Sequence, residues 1–248
     1  MKIAVFSDIH GNSIALDAML SDLKQRPADR LVCLGDAIQG GPQPAQVVAR
    51  LKELACPVVM GNADAWLLTG EDSGREAVTP ERQRKLDAVR AWSLGQLSEE
   101  DRALIATFRP TVTIEAGSRR LLCFHGSPDS FDDVILPTTP EDEFQRYLLA
   151  HADSFLAGGH THVQHIRRIG DSIYFNPGSV GFAYSHAQEE DGRFRADPWA
   201  EYSVLIHDGS GYSLEFRRVP YDASRLVRVY RESGHPYAEQ DAARYEGR

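Results

Sequence analysis

Positive charge is in short supply in this chain. Its 248 residues include 36 aspartates and glutamates against 27 lysines and arginines, which gives a formal net charge of -9. Proteins that bind nucleic acid grip the phosphate backbone with clustered lysine and arginine side chains. The charge deficit therefore argues against nucleic acid as a partner. A small anionic substrate stays compatible with it if a metal site supplies positive charge locally.

Long apolar runs are also missing. No stretch approaches the roughly 20 apolar residues that a membrane-spanning helix needs. The first residues turn polar at Ser7 and Asp8, so they lack the apolar run and the small-residue cleavage site of a signal peptide. We therefore expect no membrane partner and a cytoplasmic location.

Cysteine is scarce. The sequence has three cysteines, Cys33, Cys56 and Cys123, and no two of them have CxxC spacing. Structural zinc sites favour cysteine-rich ligand sets, so this pattern argues against one. Each cysteine lies in or beside an apolar run, which predicts small core residues in a reducing compartment.

The pattern that is present in the first quarter alternates short apolar runs with helical periodicity. It predicts strands over residues 2–8, 30–36 and 57–62, with helices over residues 13–26 and 44–54. This β-α-β-α-β order is typical of a parallel or mixed sheet that carries helices on its faces.

The later residues favour antiparallel strands. We predict a helical region over 80–108 with a break at Gly95 and a new start at Ser98. Further helices are predicted over 141–151 and 222–233, a single strand over 154–158, and a surface loop over 185–198. Hairpins are predicted over residues 111–125, 166–175 and 202–219. Two β-rich halves with outer helices predict an α/β fold in which two sheets pack face to face between helical layers. We expect a single domain over residues 1–234 and a loose polar tail over 235–248.

Side chains able to bind metal follow the predicted strands. They are Asp8, His10, Asp36, Asn62, His125, His160 and His162. Strand ends share one edge in an open α/β sheet, so these groups can meet there. Carboxylate and amide oxygens combined with imidazoles suit Mn, Fe, Zn, Ni or Co better than Ca or Mg alone. A single aspartate or asparagine at the end of a strand is about as often a cap or turn residue as a metal ligand. Seven candidate ligands together favour a metal site.

The motifs around these residues are Asp8-Ile9-His10, Gly35-Asp36, Gly61-Asn62, His125-Gly126 and Gly158-Gly159-His160-Thr161-His162. In this order they resemble the signature of the calcineurin-like metallophosphoesterase superfamily. A closer likeness, to its small bacterial phosphodiesterase-type members, is carried by Ser7-Asp8-Ile9-His10-Gly11-Asn12, Gly35-Asp36-Ala37-Ile38-Gln39-Gly40-Gly41-Pro42, His125-Gly126-Ser127-Pro128 and Asn176-Pro177-Gly178-Ser179-Val180-Gly181. The resemblance implies a four-layer αββα sandwich and two divalent metal ions. It implies that one ion is bound by Asp8, His10, Asp36 and His162, and the other by Asp36, Asn62, His125 and His160. The implied activity is phosphoester hydrolysis by a hydroxide that the two metals activate.

One position departs from the family pattern. Many relatives carry histidine directly after the motif's asparagine, and this chain has Ala63. A methyl group donates no proton, and a poor leaving group gains most from a general acid. We therefore expect substrates with a stable leaving group, such as an aryl phosphodiester or a nucleotide leaving from a phosphoanhydride.

Several residues near the motifs could support the site. Asp64, His165, Tyr184 and His186 could replace the missing acid, but the sequence places none of them there. Asn12 could orient a metal ligand or contact the phosphate. The segment Asn176-Pro177-Gly178-Ser179 is expected to support the loop that carries His160 and His162.

The leading function is that of a phosphodiesterase or nucleotide phosphohydrolase acting on a small substrate. A phosphoprotein phosphatase is disfavoured, because those relatives carry arginines where this chain has Gln39-Gly40-Gly41 and Ala63-Asp64-Ala65. The other alternative is a noncatalytic metal-binding interaction scaffold of the same fold, a role taken when ligands are lost. All seven candidate ligands remain in this chain.

Overall fold

The computed structural model of the protein describes residues 1–71, 79–188 and 192–247. The strands are β1 (Lys2–Phe6), β2 (Arg30–Cys33), β3 (Val112–Ala116), β4 (Arg119–Cys123), β5 (Phe155–Ala157), β6 (His165–Ile169), β7 (Ser172–Asn176), β8 (Trp199–His207) and β9 (Tyr212–Pro220). The α-helices are α1 (Ser13–Gln25), α2 (Pro44–Leu54), α3 (Asn62–Thr69), α4 (Pro80–Gln96), α5 (Glu99–Ile105), α6 (Glu141–Leu148), α7 (Ala223–Glu232) and α8 (Ala238–Ala242).

The strands form two mixed sheets. The first has the order β2-β1-β8-β9 and the second the order β3-β4-β5-β7-β6. Strand β1 is parallel to β2 and antiparallel to β8, while β5 is parallel to both β4 and β7. The last two strands thus return to the first sheet, so the sheets do not coincide with the two halves of the chain.

Alternate side chains along the strands pack against helices on one face and against the other sheet on the opposite face, which gives four layers. In β1, Ala4 and Phe6 pack toward α1 and α2, whereas Ile3 and Val5 pack against the second sheet. In the second sheet, Leu156 packs with residues of α6, and its neighbours in β5 face the first sheet. Successive strand residues point to opposite faces, so each sheet buries both sides. The predicted αββα sandwich is confirmed.

Two local predictions need correction. The strand predicted over residues 57–62 is wrong: Val58 and Val59 form only isolated bridges, and α3 begins at Asn62. The helix break predicted at Gly95 is also misplaced, because α4 continues to Gln96. The predicted new start is confirmed, with Ser98 forming a capping box that opens α5.

The C-terminal residues, expected to form a loose polar tail, contain helical structure and buried side chains. Over 235–247 they form α8 and a following 3-10 turn, and Asp241, Ala242 and Tyr245 are buried. In the predicted loop over 185–198, residues 189–191 lie outside the described part of the chain. The other loop residues form no regular element. Among the described residues, no helix has the length and apolar character needed to cross a membrane.

Candidate metal centre

The seven predicted side chains come together at one edge of the sandwich. They are carried by the segments that follow β1, β2, β4 and β5 and by the first residue of α3. Asp8, His10 and His162 form one cluster and Asp36, His125 and His160 another, with donor atoms in each cluster lying within 4.8 Å of one another. Asn62 joins the second cluster, because its Oδ1 lies 3.0 Å from Nε2 of His125. His10, Asn62 and His160 are partly exposed, so solvent reaches the centre.

The backbone at these residues is unusual. Five of the seven have positive φ angles: Asp8 (55°), His10 (45°), Asp36 (49°), His160 (69°) and His162 (57°). Residues with a Cβ atom rarely adopt this region, which costs about 1–3 kcal/mol each. Backbone hydrogen bonds hold the turns, since Asp8 N donates to Gly35 O and His10 N to Asp36 O, both at 2.9 Å. Strain of this kind concentrates at functional sites.

Two glycines permit the loops to approach each other. A Cβ atom at Gly61 would lie 2.1 Å from Oδ1 of Asp36, and one at Gly159 would lie 2.1 Å from Oγ of Ser7. Two atoms that are not bonded to each other cannot lie 2.1 Å apart without a steric clash. The cluster geometry therefore requires glycine at both places.

Backbone carbonyls fix the orientation of three imidazoles. Nδ1 of His10 donates to Gln39 O at 2.9 Å, Nδ1 of His125 to Leu34 O at 2.8 Å, and Nδ1 of His162 to Phe182 O at 2.8 Å. A carbonyl only accepts, so Nδ1 carries the proton. In the neutral ring Nε2 is then left with its lone pair toward the centre, as metal-binding histidines require.

The converging atoms fit a bound cation. Nε2 of His10 and Nε2 of His162 lie 3.1 Å apart. Oδ1 of Asp8 is buried and has no hydrogen-bond partner among the described residues, although it lies 3.2 Å from Nε2 of His162. Lone pairs and a carboxylate brought this close repel one another unless positive charge lies among them. The oxygen and nitrogen donors suit a transition metal.

The electrostatics of the second cluster favour a charged Asp36. Burial alone would raise the pKa of Asp36, but His125 and His10 outweigh it and hold that pKa well below its usual range. Burial lowers the pKa of His125, and the neighbouring Asp36 outweighs this and raises it to about 9. Burial, followed by repulsion from His125, lowers the pKa of His160 to about 4.

The structure places the four residues considered as replacements for the general acid in different surroundings. Asp64 is buried beneath the centre, and its carboxylate accepts from Ala37 N and Ile38 N, both at 3.0 Å. Burial, and then Asp36, raise the pKa of Asp64 to about 7. His165 donates to Val163 O and packs on Tyr174.

Tyr184 and His186 lie beside the centre. The ring of Tyr184 is 5.4 Å from that of His162, and the ring of His186 stacks on Tyr184 at 5.1 Å. Nε2 of His186 also donates to Thr161 O at 3.0 Å. The sequence placed neither residue at the centre, although Tyr184 lies five positions after Ser179, in the segment expected to support the loop of His160 and His162.

Supporting residues tie the loops together. Asn12 caps α1 by accepting from Ala15 N, and it donates to Gly181 O at 3.0 Å. Asn176 donates to Gly159 O at 2.6 Å, which confirms the predicted support of the loop below His160 and His162. The sequence did not indicate the separate contact made by Ser179, whose Oγ donates to Asp8 O at 2.7 Å.

Comparison with known proteins agrees with this geometry. A family model described as the calcineurin-like phosphoesterase superfamily domain matches residues 1–195. An uncharacterised protein of Methanocaldococcus jannaschii is 26% identical over 240 residues, covering 90% of this chain and 89% of that protein. The phosphodiesterase YfcE of Escherichia coli is 28% identical over 192 residues, covering 73% and 79%.

A solved structure shares the fold. The metallophosphoesterase of Sphaerobacter thermophilus has a TM-score of 0.73 at 24% identity, with 99% of each chain covered. The resemblance of the motifs is thus confirmed by a match that covers more than half of the chain. The chain belongs to the calcineurin-like phosphoesterase superfamily and is a metal-dependent hydrolase that acts on phosphoester bonds.

Proposed function

We propose that this chain binds two divalent metal ions and hydrolyses small phosphodiesters or nucleotides whose leaving group is already stable. The observation that carries the proposal is the pair of clusters whose imidazole Nε2 atoms and carboxylates converge. In the proposed assignment, the ligands of one ion are Asp8, His10, Asp36 and His162, and those of the other are Asp36, Asn62, His125 and His160. Manganese is proposed first, among Mn, Fe, Zn, Ni and Co.

A pair of divalent cations, when bound, lowers the pKa of a water molecule and neutralises charge on the phosphoryl oxygens. The chain's own contribution is to hold the donors in place. Gln39, Leu34 and Phe182 fix three imidazoles through their carbonyls, and Ala63 N donates to Oδ1 of Asp36 at 2.8 Å. We assign Asn12 a positioning role, because it ties α1 to the loop whose Gly181 N donates to Asp8 O.

The choice of substrate rests on the residue after Asn62. Ala63 presents a methyl group there, which supplies no proton to a departing oxygen. Both carboxylate oxygens of the neighbouring Asp64 are engaged by backbone N–H groups. Aryl phosphodiesters and phosphoanhydrides need least help from an acid, so we propose them ahead of alkyl phosphate monoesters.

A cytoplasmic location is part of the proposal. Cys33, Cys56 and Cys123 are free thiols, and two of them are buried in the core. Free buried thiols are typical of proteins from a reducing compartment.

The test is turnover of bis(p-nitrophenyl) phosphate by metal-free protein to which Mn, Fe, Zn, Ni or Co is returned singly. The Asp36→Asn variant is expected to lose more than about 100-fold in activity and to bind less metal, measured by elemental analysis. Asp17→Asn makes the same charge change at a side chain that is 42% exposed, so it serves as the control. Full activity of the Asp36 variant would contradict the assignment. Bound metal in the wild-type protein without turnover of any phosphoester would favour the noncatalytic scaffold.

A further inference from the structure

Four rings stand side by side next to the metal centre. We define the aromatic wall as the side chains of Phe182, Tyr184, His186 and Phe194. Ring centroids of Phe182 and Tyr184 lie 5.4 Å apart, those of Tyr184 and Phe194 4.9 Å, and those of Phe182 and Phe194 5.6 Å. His186 stacks on Tyr184 with an interplanar angle of 18°. Such spacings are those of mutually packed aromatic side chains.

The aromatic wall is continuous with the first cluster of candidate ligands. The ring of Phe182 lies 5.7 Å from that of His162 and 6.2 Å from that of His10. Tyr184 lies 5.4 Å from His162. Phe182 and Tyr184 therefore border the first cluster, within reach of an ester group on a phosphate that metal would hold there.

The aromatic wall is held in place yet stays open to solvent. Arg244 lies over the rings of Phe182 and Phe194, at 5.2 and 5.7 Å, and is itself paired with Asp241 at 2.9 Å. Ala196 N donates to Arg244 O at 3.0 Å, which ties the loop to the C-terminal segment. Despite this backing, Phe194 is 39% exposed. Its exposed surface is apolar area that a ligand could remove from water.

We propose that the aromatic wall binds a flat aromatic group carried by the phosphoester, either an aryl ester or the base of a nucleotide. Stacking on aromatic side chains tolerates any flat ring, because every such ring offers a π-face. The proposal rests on the proposed function and adds to it. Substrates are selected by the shape of the group beside the phosphate as well as by the stability of the leaving oxygen.

Acidity and aromaticity of the leaving group can be separated with two phosphodiesters. Methyl phenyl phosphate and methyl hexafluoroisopropyl phosphate release alcohols of comparable acidity, and only the first carries a ring. The wild-type protein is expected to prefer the phenyl ester by about tenfold in kcat/KM, the order of one stacking interaction.

Three variants test which rings carry the preference. Phe194→Leu and Tyr184→Leu are expected to bring the ratio of the two kcat/KM values close to one, whereas Tyr184→Phe keeps the ring and retains the preference. Tyr212→Leu is the matched control, since Tyr212 is an aromatic residue that is 46% exposed and lies on β9 against Phe155. An unchanged ratio in both leucine variants would overturn the proposal for aryl esters.

Binding provides a readout that does not depend on turnover. Calorimetry on the manganese-loaded protein compares adenosine 5′-monophosphate with ribose 5-phosphate, which lacks the base. Tighter binding of the adenosine compound that is lost in Phe194→Leu supports a nucleobase at the aromatic wall. A phenyl preference without it assigns the aromatic wall to aryl esters.

Failure of the two proposals can be told apart. Should neither phosphodiester be hydrolysed with any metal, the proposed function fails, and the calorimetric comparison still decides the aromatic wall. Should both esters be hydrolysed without a ring preference and both phosphates bind equally, the aromatic wall is not a binding site.

Discussion

At the scale of single residues, the metal centre depends on how closely two backbones approach. Gly61 precedes Asn62 and lies against Asp36, whose carboxylate accepts the next N–H of the chain from Ala63 at 2.8 Å. The proposed bridging carboxylate and the proposed amide ligand are thus placed by one contact. That contact leaves no room for a side chain at Gly61.

Two glycine substitutions should have opposite effects. Gly61→Ala places a Cβ atom 2.1 Å from Asp36 Oδ1, so we expect a loss of about 1–3 kcal/mol in the free energy of unfolding and at least a tenfold loss of activity. Gly95→Ala lies inside α4, where the added Cβ would meet no described atom outside its own helix within 4 Å, and we expect a gain of about 0.5–1 kcal/mol with unchanged activity. Denaturant unfolding and turnover of bis(p-nitrophenyl) phosphate measure both. Equal stability of the two variants would contradict the argument.

Residue types could be predicted at this scale, but their partners could not. Aspartate, asparagine and histidine at strand ends are visible in sequence, and the structure gathers six of the candidates into two clusters, with Asn62 in contact with the second. The carbonyls of Leu34, Gln39 and Phe182 orient the imidazoles, yet a carbonyl belongs to every residue and leaves no trace in sequence. Tyr184 reaches His162 only through the path of a loop that no local pattern specifies.

At the scale of elements, one aspartate fastens α1 to the first sheet. Asp22 accepts from the hydroxyl of Tyr202 on β8 at 2.6 Å and from Arg217 on β9 at 2.7 and 3.0 Å. These hydrogen bonds, first that from Arg217, hold the pKa of the Asp22 carboxyl below its ordinary value. Asp22 thus stabilises the packing of helix on sheet in its ionised form.

The pH dependence of this contact has a definite sign. A carboxyl whose pKa is lower in the folded state stabilises the protein fully above its unfolded pKa of about 3.9, and the gain is lost as pH falls through the folded pKa. We expect Asp22→Asn to lose about 1.5–3 kcal/mol of unfolding free energy at pH 6. The deficit should shrink below about pH 4.

Asp17→Asn on the same helix is the control, because Asp17 pairs with Arg50 where both side chains are well exposed. It should change stability little at either pH. Urea unfolding at the two pH values decides the matter, and an Asp22 deficit that stays constant down to pH 2 would contradict it.

Local pattern predicted elements well where local interactions decide them. Helix α2 runs over Pro44–Leu54 as expected, with proline at its start. The strand prediction over residues 57–62 failed because strand pairing depends on residues outside that segment. Val58 and Val59 each find one bridge partner, on Cys33 and Arg109, and the chain then turns at Gly61 into α3. An apolar run predicts burial, but continuous partners are needed for a strand.

At the scale of the whole molecule, the pairing of strands that lie far apart in the sequence could not be predicted from local patterns. Strand β8 pairs with β1, with Lys2 opposite Ile206, and β9 follows it at the edge of the same sheet. Two sheets between helical layers could be predicted because alternation and element order are local, whereas the sheet that a late hairpin joins is not. A single domain over residues 1–234 stays a prediction, and we propose that it extends to the C-terminal segment.

That segment offers a last test, centred on Tyr245. Its side chain is 2% exposed, packs with α7, and donates through its hydroxyl to Gly181 O at 3.2 Å. We expect Tyr245→Ala to lower the free energy of unfolding by about 3–5 kcal/mol, and Tyr245→Phe, which loses one hydrogen bond, by about 1 kcal/mol. Glu239→Gln, at an exposed ion pair with Arg231 in the same segment, should change stability little.

The same variants connect the C-terminal segment to the site. Arg244, next to Tyr245, lies over Phe182 and Phe194, so loosening the segment should weaken binding of adenosine 5′-monophosphate more than that of ribose 5-phosphate. Guanidinium chloride unfolding and calorimetry on one set of proteins separate the two effects. A Tyr245→Ala protein as stable as the wild type would place residues 235–247 outside the domain. A destabilised one with an unchanged preference for the base would show that the segment supports the fold without shaping the aromatic wall.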